Sequence, residues 1–118
     1  MNQQNLVVLE CNLCRDVELK HTANSVIGKL SVATNRFYKS GETFEKEVSF
    51  VDVDCFGDVA KLVAEKSRKG DEIRITGRLH QNRWEKDGQQ RNSLIVIAER
   101  IEFGTKAKPG APKDNQEF

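Results

Sequence analysis

"DVAKLVAEKSRKG", residues 58–70, is the one long stretch of this chain that does not read as strand. Val59, Leu62 and Val63 fall on one face at helical spacing, with Asp58 placed as N-cap and Gly70 as the residue beyond the end. The spacing predicts a single helix of about three turns. On both sides of it the apolar period changes to two. Val, Ile and Phe recur in short runs at residues 5–10, 26–35, 47–56, 71–84 and 94–103. Turn chemistry separates them: Lys39-Ser40-Gly41-Glu42 after the second run, and Asp87-Gly88, a strong hairpin signal, after the fourth. Five strand regions with one helix after the third is the plan of a five-stranded OB-fold barrel, an all-β class. Another small β-barrel fits the same count.

The totals bound what such a barrel could do. A chain of 118 residues suits one domain, here residues 1–104, with "TKAKPGAPKDNQEF" at 105–118 as a flexible tail of two prolines and no apolar run. Nineteen basic residues against eighteen acidic ones name no partner by net charge, so any electrostatic argument must be local. There is no run of 18 apolar residues for a membrane helix, and "MNQQNLVVLECN" lacks the basic start of a secretory signal; a cytoplasmic protein is expected. Cys11 and Cys14 spell C-x-x-C, but no second pair follows, and His21 and His80 lie far apart. Cys11 shares parity with Val7, Leu9 and Leu13, and Cys55 with Val51 and Val53, so both read as small core residues. With no nucleophile–base pair and no phosphate-cradling glycine loop, neither an enzyme nor a bound cofactor or metal is expected.

The aromatics are what the plan leaves over. In residues 73–84, Ile73, Ile75, Gly77 and Leu79 form an apolar row, while Arg74, Thr76, Arg78, His80, Asn82 and Trp84 form the other. The only tryptophan therefore stands in the polar, cationic row. In residues 47–56 the core row is Ser49, Val51, Val53 and Cys55, which leaves Phe50 and Phe56 among Val48, Asp52 and Asp54. Phe37 and Tyr38 end the preceding run, between Arg36 and Lys39. Rings that face outward beside cations have a shared use: a ring face suits any base, and a cation suits any phosphate, with stacking worth about 1–3 kcal/mol per base. That magnitude is the one known for single-strand-binding OB folds in general. The plainer uses of such rings are burial under a loop, at a partner subunit, or against the 85–91 hairpin.

"NLVVLECNLCRDVELKHT", "LSVATN", "CFGDVAKLVAEKSRKGDEIRITGRL" and "RWEKDGQQR" closely resemble bacterial single-stranded-DNA-binding proteins, in order and without large gaps over about residues 5–103. The resemblance implies an OB barrel, a homotetramer, and sequence-independent binding of single-stranded DNA in replication, recombination and repair. It places the family's base-stacking rings on Tyr38, Phe50, Phe56 and Trp84. Arg36, Lys39, Arg74, Arg78, Arg83 and Arg91, close to those rings, are the candidate phosphate contacts. The family's acidic tip ending in phenylalanine, which docks replication and repair enzymes, is matched in reduced form by Asp114, Glu117 and Phe118.

The departures bear on function. Cys11 stands where the family usually has glycine, Val17 where proline is usual, and Asn82 replaces a commonly basic residue. Val51 and Asp52 occupy positions often held by histidine and arginine. Two carboxylates, Asp52 and Asp54, in a DNA-facing row would repel phosphate. Either they meet a subunit interface, or they pair with Arg or Lys, or binding is weakened. A primosome or RNA-binding OB-fold component is the competing function.

Overall fold

The computed structural model describes residues 2–106. Six strands and one helix follow in the order β1 (Val7–Leu13), β2 (Glu18–His21), β3 (Val26–Ser40), β4 (Thr43–Phe56), α1 (Gly57–Lys66), β5 (Glu72–Lys86) and β6 (Gln89–Phe103). β1 pairs antiparallel with β5, β5 with β6, and β3 with β4. Two short contacts close the ring. Val53 and Asp54 of β4 pair parallel with Val96 and Ile97 of β6, and Asn12 and Leu13 of β1 pair with Ala33 and Val32 of β3. The result is a five-stranded closed barrel with one helix between β4 and β5. β2 is a short extra ribbon laid along residues 26–29 of β3.

Closure follows from the alternation. The inward residues Leu13, Leu30, Val32, Val53, Cys55, Ile73, Ile75, Val96, Ala98 and Ile101 form one buried cluster. α1 adds Ala60 and Val63 to it, while Val59 packs against its margin. A barrel of this size needs no more helix than that.

The structure revises several details. β1 covers Val7–Leu13 and not residues 5–10, and β3 to β6 all run further toward their hairpin ends than their patterns, because these hairpins project beyond the barrel where no core exists to mark them. The four residues of β2 give too little alternation to be read. The N-cap of α1 is Phe56, not Asp58, and its side chain makes no cap bond; Asp58 lies in the first turn. The helix ends at Lys66, where the Ser67 amide and hydroxyl donate to the Val63 carbonyl, so Gly70 belongs to the following turn. Leu62 is exposed, whereas Ala60 is buried. Leu79 is 47% exposed, and Ser49 is exposed as well, because the inward parity of β5 and β4 continues into hairpin past the end of the core.

The hairpin turns carry the backbone expected of them. Asp87 and Gly88 both have positive φ (52° and 77°), the requirement for a two-residue turn between twisted strands, and Lys86 pairs with Gln89 across it. Ser40 pairs with Thr43 around Gly41 and Glu42. Thr105 and Lys106, the start of the expected tail, still touch the barrel. The Glu72 amide donates to the Thr105 carbonyl, and Lys106 reaches the Asp71 carboxylate at 3.3 Å. Asp114, Glu117 and Phe118 lie outside the described residues.

Candidate nucleic-acid interface

The β3–β4 register decides which rings share a surface. It runs without a break from Ile27↔Phe56 to Ser40↔Thr43, so every cross-strand pair stays on one face. The inward face carries Leu30, Val32 and Val53 in the barrel. The outward face carries, pair by pair, Ile27/Phe56, Lys29/Asp54, Ser31/Asp52, Ala33/Phe50, Asn35/Val48, Phe37/Lys46 and Lys39/Phe44. Phe50 and Phe56 thus stand in one outward row, with Phe50 69% exposed.

Beyond the barrel the two faces of this hairpin differ in charge. Phe37, Phe44, Lys39 and Lys46 share the outward face, whose cross-strand pairs from Asn35/Val48 to Lys39/Phe44 include no acid. Tyr38 lies on the opposite face with Arg36, opposite Glu45 and Glu47. The Arg36 guanidinium sits 5.2 Å from the Tyr38 ring centre and 4.0 Å from the Glu47 carboxylate. Of the cations selected from sequence, Lys39 therefore continues the Phe50 row, and Arg36 does not.

Across the barrel, Trp84 is half-exposed on the outward row of β5, and Arg91 of β6 is its direct cross-strand neighbour. Asn82 and Ser93 form the next pair on that row, and His80 and Ile95 the one after. Trp84, Asn82, Ser93 and Ile95 line one open groove with Asp52 and Asp54 of β4, Lys29 of β3, Glu18 and Lys20 of β2, and Arg15. The tryptophan and the two aspartates thus meet at one site. Asp54 is buried and accepts a hydrogen bond from Lys29 Nζ at 2.9 Å. Lys20 and Glu18 lie 3.8 Å apart. Asp52 is exposed and has no ion pair among the described residues. Pairing with a cation, one of the three alternatives, therefore describes Asp54 and not Asp52.

Two of the remaining candidate arginines are engaged by other side chains, and the third lines a different concavity. Arg78 shares the Trp84 row but binds Glu99 at 2.8 Å; Glu99 is the extra residue of the β-bulge between β5 and β6. Arg83 has the opposite parity to Trp84 and binds the Gln81 side chain through Nε and Nη. Arg74 stands between Glu10 of β1 and Glu102 of β6, in a separate concavity also lined by Glu72. Sequence reasoning did not single out Arg15, Lys20, Lys29, Lys46 or Phe44. Pairing β3 with β4 at the Gly41-Glu42 turn would have found Lys29, Lys46 and Phe44. The other two depend on where β2 lands.

The thiols stand apart from this surface. Burial pushes the Cys11 thiol up to about 12 and the Cys55 thiol up to about 11, and burial also raises Cys14. Among the described residues no group of three or more His, Cys, Asp or Glu is placed to hold a metal, and no helix is long and apolar enough to cross a membrane.

A family model described as the single-strand binding protein family matches residues 4–104. A protein of Treponema pallidum named single-stranded DNA-binding protein is 36% identical over 104 residues, which is 87% of this chain and 59% of that one. One of the same name from Wolinella succinogenes is 40% identical over 102 residues, 84% of this chain and 63% of its own. The chain spans about three fifths of the length of these relatives. Among solved structures, a Plasmodium falciparum SSB complex with ssDNA superposes with a TM-score of 0.78, covering 89% of this chain and all of that one at 19% identity, a likeness of fold.

Proposed function

The chain belongs to the single-strand binding protein family, and from that premise we propose that it is a non-catalytic binding protein for single-stranded DNA. Bases stack on Phe50, Phe56 and Trp84, and phosphates meet Arg91, Lys39 and Lys46. Arg15 and Lys20 add charge at the groove. The observation that carries this reading is the outward row of β3 and β4, which runs from Phe56 through Phe50 to Phe37 and Phe44. Rings and lysines alternate on its outer half with no acid between them. A ring face accepts any base, so binding by this row tolerates any sequence. Tyr38 and Arg36, on the other face of the hairpin, serve a strand that wraps around its edge. Arg78 and Arg83 are weaker phosphate contacts, since Glu99 and Gln81 already engage them, and Arg74 is weaker because its cross-strand neighbours are Glu10 and Glu102.

In the cell this places the protein in the cytoplasm, in replication, recombination and repair. The working unit is a homotetramer, which would cover the exposed Leu6, Val8 and Leu79. Light scattering should give four times the 13.4 kDa chain mass. Asp114, Glu117 and Phe118 dock replication and repair enzymes. Deleting residues 115–118 should spare DNA binding and abolish capture of such enzymes. The function itself is tested by competing oligo-dT against RNA of equal length. Tighter binding of DNA supports the proposal, and tighter binding of RNA supports an RNA-binding OB-fold role.

A further inference from the structure

We propose that Asp52 gives this surface a preference among bases, favouring guanine over thymine, an inference that rests on the single-stranded DNA reading above. Asp52 is the next outward residue after Phe50 on β4, about 7 Å along the strand. It lines the same groove as Trp84 and Asn82. Its acidic neighbours are matched by cations, Asp54 by Lys29 at 2.9 Å and Glu18 by Lys20 at 3.8 Å. Opposite Asp52 stands the uncharged Ser31, and no ion pair involves Asp52 among the described residues.

A phosphodiester beside an unmatched carboxylate is repelled. The strand's backbone therefore keeps to the cationic side, and its bases turn toward Asp52. An ionised carboxylate only accepts hydrogen bonds, so it sorts bases by the donors they present. Single-strand sites reach the Watson–Crick edge because the bases are unpaired. Guanine presents N1–H and N2–H side by side, which matches the two carboxylate oxygens in a bidentate, charge-assisted pair. Cytosine and adenine each offer one amino group next to an acceptor nitrogen. Thymine offers N3–H flanked by two carbonyls whose lone pairs face the carboxylate. A base stacked on Phe50 brings this edge toward Asp52.

The test uses the full chain and three oligonucleotides of equal length: oligo-dT, alternating dT/dG, and alternating dT/dI. Inosine differs from guanosine only by lacking the 2-amino group. The wild type should bind dT/dG about five-fold more tightly than dT/dI, in keeping with the discrimination of a bidentate base contact. In Asp52→Ala that ratio should fall toward one while oligo-dT binding stays equal or rises. The near-isosteric Asp52→Asn, which removes the charge with the least disturbance, should lower the ratio as well. A ratio unchanged by both substitutions, with oligo-dT still bound, overturns the role of Asp52 and leaves the single-strand reading standing. Failure of the wild type to bind oligo-dT overturns that reading and this inference with it.

Discussion

Trp84 owes its position to parity. The alternation that buries Ile73 and Ile75 turns Asn82 and Trp84 outward, and the pairing of β5 with β6 sets Arg91 beside the indole. A ring held this way can stack without moving, so Trp84→Ala and Phe56→Ala should each weaken oligo-dT binding by about 1–3 kcal/mol with the fold intact. Isothermal titration with circular dichroism as the folding control checks this; losses of a few tenths of a kcal/mol in both would make the rings ordinary surface. The cysteines lead to a different expectation. Burial raises Cys11 to about 12 and Cys55 to about 11, so the reactive thiolate is scarce in the native protein near neutral pH. Both thiols are ordinary acids in the unfolded chain, near the usual value of 9.0. Unfolding thus releases their protons above about pH 9. Their contribution to stability is complete below that pH and is lost as pH rises toward 11–12. A thiol reagent at pH 7.5 should label Cys11 and Cys55 only after denaturant is added. Rapid labelling of either in the native state would contradict their burial.

Elements show where the sequence pattern stops being informative. In β5 the inward row reads Ile73, Ile75, Gly77, Leu79 as one continuous signal, yet burial ends at Gly77. A Cβ on Gly77 would come within 2.0 Å of the Ile97 carbonyl, so the bulge is closed tightly there, and beyond it the hairpin leaves the core. Ile75→Ala should cost about 2–5 kcal/mol in urea unfolding, and Leu79→Ala well under half as much. Equal losses would mean that the core extends along the hairpin. The helix was legible because a 3.6 period interrupts a long series of twos. Its cap was not, since the chain turns at Phe56 and Gly57 by backbone geometry without a side-chain bond. The β3–β4 hairpin was legible as a turn but not as two differently charged faces, because face assignment needs the register and not the strand alone. That register yields a prediction about salt. Replacing Lys39 and Lys46 together by Ala should reduce the log–log salt slope of oligo-dT binding by about 1.4, about 0.7 for each phosphate released. Arg74→Ala, flanked by Glu10 and Glu102, should leave the slope unchanged.

At the scale of the molecule, nineteen basic and eighteen acidic residues cancel, and affinity for a polyanion must come from how they are distributed. The barrel performs that sorting. Its closure sends Phe50 and Phe56 of β4 and Trp84 of β5 outward, brings Lys29 against Asp54, and leaves Glu10, Glu72 and Glu102 around a different concavity. The five barrel strands and the outward rings were readable in the sequence because both depend on local alternation; β2 was not. The groove was not, because Arg15, Lys20, Lys29, Asp52 and Trp84 come from five separate segments. The central claim is that this surface stacks unpaired bases and neutralises their phosphates. Titrating oligo-dT into the protein while following the fluorescence of Trp84, the only tryptophan, at a low and a high salt concentration tests both halves at once. Binding should give a saturable quench and an affinity that falls with salt by about 0.7 log units per log unit of salt for each phosphate contacted. Saturable binding with Trp84 emission unchanged, or an affinity indifferent to salt, would contradict it.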